Sequence, residues 1–571
     1  MNRIVWKIRP FSSLASELAR EAGLSLLQAQ LLINRGISDF ESAEFFLRPR
    51  LADMADPMLL KDMDEALAVI LETIENQERI TIYGDYDADG LTATALLSNF
   101  FSSCEIPVSC CIPNRLNDGY GLNKAAVERI AANGPGLIIT VDCGISDGKE
   151  TALARGLGMK VIVTDHHQIP EGFNFDYPAI NPHRADCRFP FKDLAGVGIA
   201  FFLAVAVRSA LRKKGWFVTR PEPDLREYLD LASLGTVADR VPLRDQNRIL
   251  VKGGMETMSR PRWAGIRAMK DVAGIRGRKI TTDDLAFRLA PRLNAPGRMG
   301  DHDTGILVLT VEKPILAKAL AEKVNAANSE RQSVERHILD QVEDMIKCME
   351  RIGDLRSLVV AGEEWHKGVL GIVASRLVER YHRPSLVISI QDGVAVGSGR
   401  SIAGFNLHGA LTQLGHLFDK FGGHARAAGF TLKADNLDMV RGQLEGLARK
   451  SLREEDMIPT IDVDVEISLK DVTPAMVNQI KALSPFGEGN PEPLFLARSL
   501  EVLGSWVVGE RHLKMKVRQG RGKVFEAIGF GLSDRLPLGG KALNMVFTPE
   551  LNPWQGYETI QLRIADFECL H

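Results

Sequence analysis

The feature that most restricts the fold of this chain is an alternation of apolar and amphipathic stretches between residues 79 and 165. RITIYG (79–84), LIITVD (137–142) and KVIVTD (160–165) are short and rich in apolar, β-branched residues, whereas NKAAVERIAANG (123–134) has helical periodicity and ends at a glycine. Apolar runs of this length that alternate with helices are typical of strands buried on both faces of a parallel sheet. The sequence therefore predicts an α/β domain. Its other predicted elements are helices over 62–78, 91–103 and 147–156 and a strand over 107–112.

The rest of the chain predicts further domains, because one core rarely extends beyond about 250–300 residues and this chain has 571. Residues 196–300 are mostly helical, a second α/β block begins at residue 355, and five candidate strands after residue 458 suit an OB-fold barrel. These candidate strands are TIDVDVEIS (460–468), LEVLGSWVV (500–508), HLKMKVR (512–518), VFEAIGF (524–530) and TIQLRIADF (559–567). The predicted divisions are an N-terminal lead-in (1–60), an α/β domain with a helical extension (61–312), a connecting helix (313–352), a second α/β domain (353–452) and the barrel (456–571).

Charge limits how the chain could bind nucleic acid. The formal net charge of −3 argues against coating nucleic acid through bulk charge, although a local patch or bound cations could still offset phosphate repulsion. A basic stretch between residues 260 and 298 is either such a patch or a solvated surface, and charge alone does not separate the two. Its cations are Arg260, Arg262, Arg267, Lys270, Arg276, Arg278, Lys279, Arg288, Arg292 and Arg298.

Other sequence features exclude several classes of protein. The seven cysteines are scattered without a CxxC pair, which predicts a reducing compartment and no zinc framework. We expect a cytoplasmic protein with no membrane partner, because the start of the chain has no apolar signal core and no apolar run is long enough to cross a bilayer. A phosphate-binding loop of the type G-x-x-x-x-G-K-[ST] is also missing, so ATP-driven unwinding is not supported. The GVG at 196–198 is better taken as the start of a helix.

The motif GDYDADG (84–90) places Asp85, Asp87 and Asp89 directly after a predicted strand. Alternate residues of an extended chain point the same way, and three carboxylates on one side repel unless a cation holds them. An EF-hand loop also begins D-x-D-x-D-G, but it needs a glutamate at its twelfth position, which here is Leu96. The motif therefore predicts a metal site of another kind.

Two further strands end in candidate ligands. Asp142 ends the strand in VDCGI (141–145), and Asp165, His166 and His167 follow the next strand in TDHH (164–167). Ligands bind at the carboxyl ends of strands in open α/β sheets, and three such turns in succession are hard to explain as ordinary polar turns. Carboxylates with imidazole suit Mn²⁺ or Mg²⁺, and several carboxylates suggest two ions, the arrangement that favours phosphoryl chemistry.

These motifs together resemble the DHH phosphoesterase superfamily, and most closely a family of single-strand-specific exonucleases within it. The resemblance covers most of the chain from about residue 60, and the ordered set of motifs is highly specific. The remaining motifs that carry it are PNRLNDGYGL (113–122), SLGTVADRVPL (233–243), APRLNAPGRMGD (290–301), WHKGVLGIVASRL (365–377), GSGRS (397–401) and FGGHARAAGF (421–430).

The resemblance implies a role for each matching residue. The implied metal ligands are Asp87, Asp89, Asp142, His166 and Asp239, with Asp142 bridging two ions, and Asp85 and His167 complete the catalytic group. Implied substrate-binding residues are Arg115, Tyr120, Arg298, Ser398, Arg400 and His424; Arg115, Ser398 and Arg400 would hold a 5′-terminal phosphate, and Tyr120 would stack on a nucleotide. Without the resemblance, Arg115 and Arg400 would be read as surface ion pairs.

The implied activity is 5′→3′ hydrolysis of single-stranded DNA to mononucleotides. Two alternatives stay open: a phosphoesterase for pyrophosphate, cyclic dinucleotides or very short oligonucleotides, and a binding or scaffold protein that carries a decayed metal core. The scaffold would lack ligands, whereas here every acidic ligand position is kept. The resemblance also implies work on the bacterial nucleoid in recombination, mismatch repair and base-excision repair, with a single-strand-binding protein and a RecQ-type helicase as partners. We expect a monomer.

Overall fold

The computed structural model describes residues 4–570 apart from 116–117, 171, 349–351, 537, 539 and 555–556. Two residues of the PNRLNDGYGL motif, Leu116 and Asn117, and the end of the predicted connecting helix therefore lie outside the described residues. The predicted fold class is confirmed: a parallel α/β domain is joined by a long helix to a second α/β domain, and a closed barrel follows. The domain limits given above stay predictions.

The N-terminal segment packs against the C-terminal end of the chain. Residues Val5–Ile8 pair in parallel with residues 460–463, and Leu18, Leu31 and Leu32 share an apolar core with the barrel. The segment consists of β1 (Val5–Ile8), α1 (Ala15–Ala22), α2 (Leu26–Ile33) and α3 (Phe40–Leu47).

The predicted parallel sheet follows. Its elements are α4 (Met63–Glu75), β2 (Arg79–Gly84), α5 (Ala88–Ser103), β3 (Val108–Cys111), α6 (Lys124–Ala131), β4 (Gly136–Val141), α7 (Gly148–Gly156), β5 (Lys160–Thr164) and β6 (Ala179–Ile180). The five strands are parallel and run in the order β3-β2-β4-β5-β6. β4 is buried along its whole length, as its continuous apolar run predicts. The carboxyl ends of β2, β4 and β5 are neighbours, so the motifs that follow them meet at one edge.

A helical extension completes the first domain. It contains α8 (Gly196–Lys213), α9 (Leu229–Ala238), α10 (Asp245–Thr257), α11 (Ala264–Val272), α12 (Thr282–Asp284), α13 (Ala290–Arg298) and α14 (Thr304–Thr310). Residues Leu285–Leu289 form a π-helix between α12 and α13. The GVG sequence begins α8, as predicted.

The basic stretch of residues 260–298 is not a continuous positive surface. Arg262 bonds to Glu227, and Arg278 and Arg288 share the carboxylate of Asp284. Lys270 is buried and donates to the carbonyl of Met258. The solvated-surface interpretation therefore fits most of the stretch, and Arg298 belongs to the site described below.

Helix α15 (Pro314–Cys348) connects the two α/β domains and is 35 residues long, or about 52 Å at 1.5 Å per residue. Its buried face is apolar at both ends and polar in the middle. Ala321 and Val324 join the core of the first domain, whereas Ile338, Val342 and Ile346 pack in the second. Between them lie the buried polar residues Asn328, Arg331 and Glu335.

The second α/β domain has a mixed sheet. Its elements are β7 (Leu358–Glu363), α16 (Leu370–Tyr381), β8 (Ser385–Gln391), β9 (Val394–Arg400), α17 (Leu407–Gln413), β10 (Lys420–His424), β11 (Ala427–Lys433) and α18 (Leu437–Ser451). The strand order is β10-β11-β9-β8-β7, with β7 and β8 parallel and the other pairs antiparallel.

The C-terminal barrel has five strands, but one of them was not predicted. The elements are β12 (Thr460–Val463), β13 (Val465–Glu466), α19 (Pro474–Lys481), β14 (Phe495–Val508), β15 (His512–Gln519), β16 (Val524–Gly529), β17 (Ala542–Trp554) and β18 (Tyr557–Leu570). Pairing of β14 with both β15 and β17 closes the barrel.

Of the predicted strand 460–468, only β13 joins the barrel sheet, where it pairs with β14, and β17 is not among the predicted strands. β12 instead pairs with β1 outside the barrel, and β17 contains Pro549 and Pro553, which argue against a central strand. Both prolines lie beyond Phe547, where pairing with β14 ends and β17 pairs only with β18. Because one edge is open there, the missing N–H groups cost no hydrogen bonds to β14.

One buried arginine connects the N-terminal segment, the helical extension and the approach to the barrel. Arg248 on α10 is fully buried and donates to the carbonyls of Phe46, Leu483 and Ser484. Its guanidinium lies 3.6 Å from the centre of the Phe46 ring. Burial lowers the pKa of Arg248 to about 9. Within the described residues, no helix is long and apolar enough to span a membrane.

Candidate functional site

The acidic motif after β2 becomes the start of α5, and the helix N-terminus fixes Asp87. Asp87 is the N-cap of α5, and its Oδ1 accepts the backbone amides of Asp89 at 2.9 Å and Gly90 at 3.1 Å. Asp85 is 3% exposed, and its Oδ1 has no hydrogen-bond partner among the described residues. The predicted extended run is therefore wrong after Asp87, because capping turns the chain into a helix.

Asp89 is held by the start of α8. Its two carboxylate oxygens accept the amides of Gly196 at 2.6 Å and Val197 at 2.9 Å. A Cβ at Gly196 would lie 2.6 Å from the Cβ of Asp142, so glycine is required for this close approach. The sequence predicts the GVG only as a helix start, and its contact with Asp89 becomes visible only in the structure.

Asp239 follows α9 and reaches the same site because α9 packs closely on α5. A Cβ at Gly235 of α9 would lie 2.2 Å from the hydroxyl of Thr92 and 2.7 Å from Asp89 Oδ1. The glycine in SLGTVADRVPL therefore permits the helix contact that brings Asp239 to Asp89 and His166.

His166 lies at the centre of the cluster. Its Nε2 is 3.0 Å from Asp142 Oδ1, 3.6 Å from Asp239 Oδ2 and 4.0 Å from Asp89 Oδ2. Asp142 has a left-handed backbone with φ 60°, a conformation that is uncommon for residues other than glycine and often marks functional sites. The three predicted strand ends therefore do converge.

The cluster suits metal ions because its buried acceptor atoms lie close together without hydrogen-bond partners among the described residues. Nε2 of His166 and Oδ1 of Asp142 are both buried and 3.0 Å apart, yet neither makes a hydrogen bond within the part of the chain that is described. Two buried acceptor atoms this close together, with no hydrogen bond between them, are expected where both face one cation. Three groups have ligand atoms within 4.8 Å of one another: Asp142, His166 and His167; Asp89, His166 and Asp239; and Asp85, Asp87 and Asp142.

The electrostatics lead to the same conclusion. Burial, and then the charges of neighbouring carboxylates, raise the pKa of Asp85, Asp89 and Asp142 well above the usual range. Burial also raises the pKa of Asp239 to about 7 and lowers that of His166 to about 4. A neutral imidazole and several carboxylates that cannot all ionise unaided form a donor set for divalent cations.

Asp165 is a positioning residue. It is fully buried, and its Oδ1 accepts the backbone amides of His166 at 2.7 Å and His167 at 3.0 Å and lies 2.7 Å from His167 Nδ1. Burial opposes ionisation, but the hydrogen bond and charges of the histidines outweigh it and lower the pKa of Asp165. The same contact overcomes burial and raises the pKa of His167 to about 9.

Tyr120 joins the cluster through its hydroxyl group. That group donates to the carbonyl of Asp142 at 3.2 Å and lies 2.9 Å from His167 Nδ1. The residue is 49% exposed, so the ring has an accessible surface while the hydroxyl is anchored. Stacking of this ring on a nucleotide stays a prediction.

Arginines gather beside the acidic cluster. Arg115 lies over the ring of Tyr86, 4.6 Å from its centre. Tyr86 is the residue between Asp85 and Asp87 in the chain. Arg298 donates to the carbonyl of Gly368 at 3.0 Å, and Arg400 to the hydroxyl of Ser398 at 3.2 Å. Burial lowers the pKa of Arg298 to about 9, and the charges of Arg115, Arg331 and Arg400 add to this effect. Such mutual repulsion favours a bound anion.

Arg331, in the polar middle of α15, is the arginine that sequence reasoning missed. It is 8% exposed and bonds to Glu335 at 2.6 Å and Asn328 at 3.2 Å. Its Nε has no hydrogen-bond partner in the described ranges. The available signal was the spacing of Asn328, Arg331 and Glu335, which occupy the buried stripe of an otherwise apolar helix face.

The start of α16 completes this arginine cluster. A Cβ at Gly371 would lie 2.9 Å from Arg400 Nη2 and 3.0 Å from the hydroxyl of Ser398. As far as the structure describes the chain, no side chain caps α16. Amide groups at a helix N-terminus bind anions, so the arginines and α16 together are a candidate anion pocket.

His424 lies at the margin of the pocket. Across the sheet it is in register with Ala427, which is in register with Arg400. Residues in register share a face, and strands are about 4.8 Å apart, so the backbones of His424 and Arg400 are about 10 Å apart. The structure thus brings the acidic and histidine residues together and Arg115, Arg298, Ser398 and Arg400 beside them, with His424 further out.

Comparison with protein-family models identifies all three domains. The DHH family N-terminal domain matches residues 79–236, the DHHA1 domain matches 354–450 and the RecJ OB domain matches 463–566. These matches agree with the parallel sheet, the mixed sheet and the barrel.

Named relatives resemble the chain over nearly its full length. It is 37% identical to the single-stranded-DNA-specific exonuclease RecJ of Bacillus subtilis, over 99% of this chain and 71% of that protein. It is 36% identical to RecJ of Escherichia coli, over 95% of this chain and 96% of that protein. The crystal structure of RecJ in complex with Mn²⁺ from Thermus thermophilus matches with TM-score 0.83 and 28% identity, over 100% of this chain and 80% of that one. A Mg²⁺ complex from the same source matches with TM-score 0.78, also at 28% identity, over 100% of this chain and 79% of that one.

Proposed function

The chain belongs to the RecJ family of single-stranded-DNA-specific exonucleases, and on that premise we propose that it hydrolyses single-stranded DNA from the 5′ end and releases 5′-mononucleotides. The observation that carries the proposal is the contact between the two charged clusters. Arg115 lies over Tyr86, the residue between Asp85 and Asp87, and the charge of Arg115 acts on the pKa of Asp85. A terminal phosphate held by the arginines therefore lies beside the acidic cluster.

The acidic cluster would hold two Mn²⁺ or Mg²⁺ ions through Asp87, Asp89, Asp142, His166 and Asp239, as the Mn²⁺- and Mg²⁺-bound relatives support. When bound, such ions supply an activated water and neutralise charge on the reacting phosphate. Asp142, with its Oδ1 within reach of His166 and other carboxylates, would bridge them. Asp85 would complete the ligand set.

The chain's own residues fix the direction of attack. Arg115, Arg298, Arg331 and Arg400 hold the terminal phosphate as planar, permanently charged donors. Asp165 orients His167, which lies against the cluster and would orient the scissile phosphate. A pocket for the 5′ phosphate at a fixed distance from the metal ligands positions one nucleotide for each cut, which gives the 5′→3′ direction.

The biological setting is proposed from the family. Single-stranded DNA is the substrate, and the enzyme would act in recombination, mismatch repair and base-excision repair in the bacterial cytoplasm. A single-strand-binding protein and a RecQ-type helicase would supply and open the substrate. We propose that it acts as a monomer, because one chain provides both charged clusters and the barrel.

The test uses one 5′-phosphorylated oligonucleotide, labelled at either end, as a single strand and as a blunt duplex with Mn²⁺. The expected result is release of mononucleotides from the 5′ end of the single strand and resistance of the duplex. Release from the 3′ end, or equal attack on the duplex, would overturn the polarity and the phosphate pocket. Equal turnover of dinucleotides and long strands would favour a small-substrate phosphoesterase instead.

A further inference from the structure

Phe287 is an aromatic side chain that the fold leaves exposed. It is 75% exposed and lies within the π-helix Leu285–Leu289 that leads into α13. A π-helix carries an irregular hydrogen-bond pattern and occurs frequently at functional sites. A ring with this exposure contributes little to the core, so its place on an irregular helix points to a ligand.

The position of Phe287 relates it to the anion pocket. Pro291, Asn294 and Arg298 follow the spacing i, i+3 and i+7 along one face of α13, and Phe287 precedes Pro291 by about one turn of the π-helix. Arg298 enters the pocket at the far end of this face. Between the two, Oδ1 of Asn294 is buried and makes no hydrogen bond to any described residue. The helix face therefore leads from the pocket, past an unsatisfied acceptor, to an exposed ring.

The surroundings of Phe287 suit a polyanion. Arg278 and Arg288 share the single carboxylate of Asp284, and Arg288 is the next residue after Phe287 in the chain. Asp283 acts electrostatically on Glu550 and Arg563 of β17 and β18, so this corner of the helical extension faces the barrel. An aromatic ring next to cations is the combination that binds single-stranded nucleic acid without sequence preference.

We propose that Phe287 is a stacking platform for a base of the single-stranded DNA substrate, downstream of the nucleotide that is removed; the inference rests on the function proposed above. Eleven residues separate Phe287 from Arg298, or about 16 Å along a helix. A stacked strand advances about 3.4 Å per nucleotide, so the base is about the fourth or fifth from the 5′ end.

The test measures DNA binding without hydrolysis. Fluorescence anisotropy of the full-length protein with 5′-phosphorylated oligonucleotides of two and twelve nucleotides is recorded without divalent metal. Phe287→Ala is expected to weaken binding of the twelve-nucleotide strand by about 5- to 100-fold, the loss of one base–aromatic stack, and to leave the dinucleotide unchanged. Phe287→Trp should restore the affinity. Ile315→Ala, which truncates a side chain that is 86% exposed on α15, is the matched control.

Substrates with a single abasic site locate the contact. An abasic site at the fourth or fifth nucleotide should weaken binding to the unaltered protein and have no further effect on Phe287→Ala. Equal loss for both strand lengths, or unchanged affinity of Phe287→Ala, would overturn the proposal. DNA binding is measured here without hydrolysis. Absence of exonuclease activity would therefore contradict the proposed function without deciding whether Phe287 stacks on a base.

Discussion

The acidic cluster and the arginine cluster lie side by side with opposite charge, but the chain builds them in opposite ways. The acidic cluster comes mainly from three neighbouring strand ends of one sheet, where each motif positions its own side chains. The arginines come from four distant elements: the loop after β3 (Arg115), the end of α13 (Arg298), the middle of α15 (Arg331) and β9 (Arg400). The acidic half of the site therefore depends on one domain, whereas the arginine half depends on how α15 holds two domains together.

The largest effect is expected from the acidic half. Asp142→Asn should lower kcat/KM on single-stranded DNA by about a thousandfold or more, because metal ions supply several kcal/mol of charge stabilisation to phosphoryl transfer. Asparagine tolerates the left-handed backbone at this position, so the fold should be retained. Single-turnover hydrolysis measures the loss of activity, and calorimetric titration with Mn²⁺ measures the loss of metal binding.

A control is Asp392→Asn, which changes an aspartate in the second α/β domain that has the same left-handed backbone but is exposed, and which should leave activity unchanged. Full activity of Asp142→Asn would contradict the two-ion assignment and would mean that the acidic cluster does not carry the reaction.

A smaller effect is expected from the arginine half. Arg331→Met and Arg400→Met should each reduce the preference for a 5′-phosphate over a 5′-hydroxyl by about 10- to 100-fold, because a charged hydrogen bond contributes about 1.5–3 kcal/mol. The measurement is the ratio of kcat/KM for the two substrates, which distinguishes phosphate recognition from general loss of activity. Arg336→Met, an exposed residue on the same helix, should keep the ratio. A parallel loss on both substrates would mean that Arg331 acts only on the packing of the domains.

The pH dependence of the free energy of unfolding without metal tests the acidic cluster by itself. Burial raises the pKa of Asp239 to about 7, and the hydrogen bond to Asp165 raises that of His167 to about 9. A raised carboxyl pKa makes the folded state lose stability as pH rises through about 4–7, and a raised histidine pKa contributes stability below about 6.5 that is lost up to about pH 9. Both effects lower the free energy of unfolding as pH rises: they act together between about pH 6.5 and 7, and from pH 7 to 9 the loss comes from His167.

We therefore expect the chelated protein to become less stable by about 1 kcal/mol or more over this range, after allowance for the partial exposure of His167. Thermal unfolding in chelator and in Mn²⁺ measures the difference, since bound cations should flatten the decline. Asp230→Asn controls for the other buried carboxyl whose pKa is raised to about 7 by burial. A decline of equal size with Mn²⁺ present would show that the acidic cluster does not cause it.

The smallest effect is expected from the basic stretch. Arg262 and Arg276 are exposed and paired with Glu227 and Asp271, and exposed ion pairs contribute about 0–1 kcal/mol. Arg262→Ala with Arg276→Ala should change KM for single-stranded DNA less than about twofold and leave its salt dependence unaltered. A lower slope of affinity against salt, by about one per residue, would show that these cations contact phosphate.

The acidic half was predictable because its information is local. Asp85, Asp142 and His166 each follow an apolar strand, and parallel strands necessarily bring those positions to one edge. Asp239 entered only through the resemblance, because it depends on close packing at Gly235, which spacing alone does not reveal.

The arginine half could not be found in this way. Arg115 and Arg331 are more than two hundred residues apart, and their meeting depends on the path of α15 between domains. Strand β17 was missed for a related reason, because the effect of Pro549 depends on which edge of the strand is open. Rules based on local sequence fail where tertiary contacts determine the environment of a residue.

The pairing of β1 with β12 has a consequence for synthesis of the chain. The N-terminal strand and the apolar faces of α1 to α3 find their partners only after residues 460–567 have been made. At about 5–20 residues per second, the ribosome needs roughly 20 to 90 seconds to proceed from β1 to β12. During this interval the first helices lack their partners in the barrel and have one another and, once residue 248 has been made, the contact of Phe46 with Arg248. The parallel sheet can already fold in the same interval. The nascent chain therefore exposes its beginning longest, and chaperones that bind apolar helices will meet it there first.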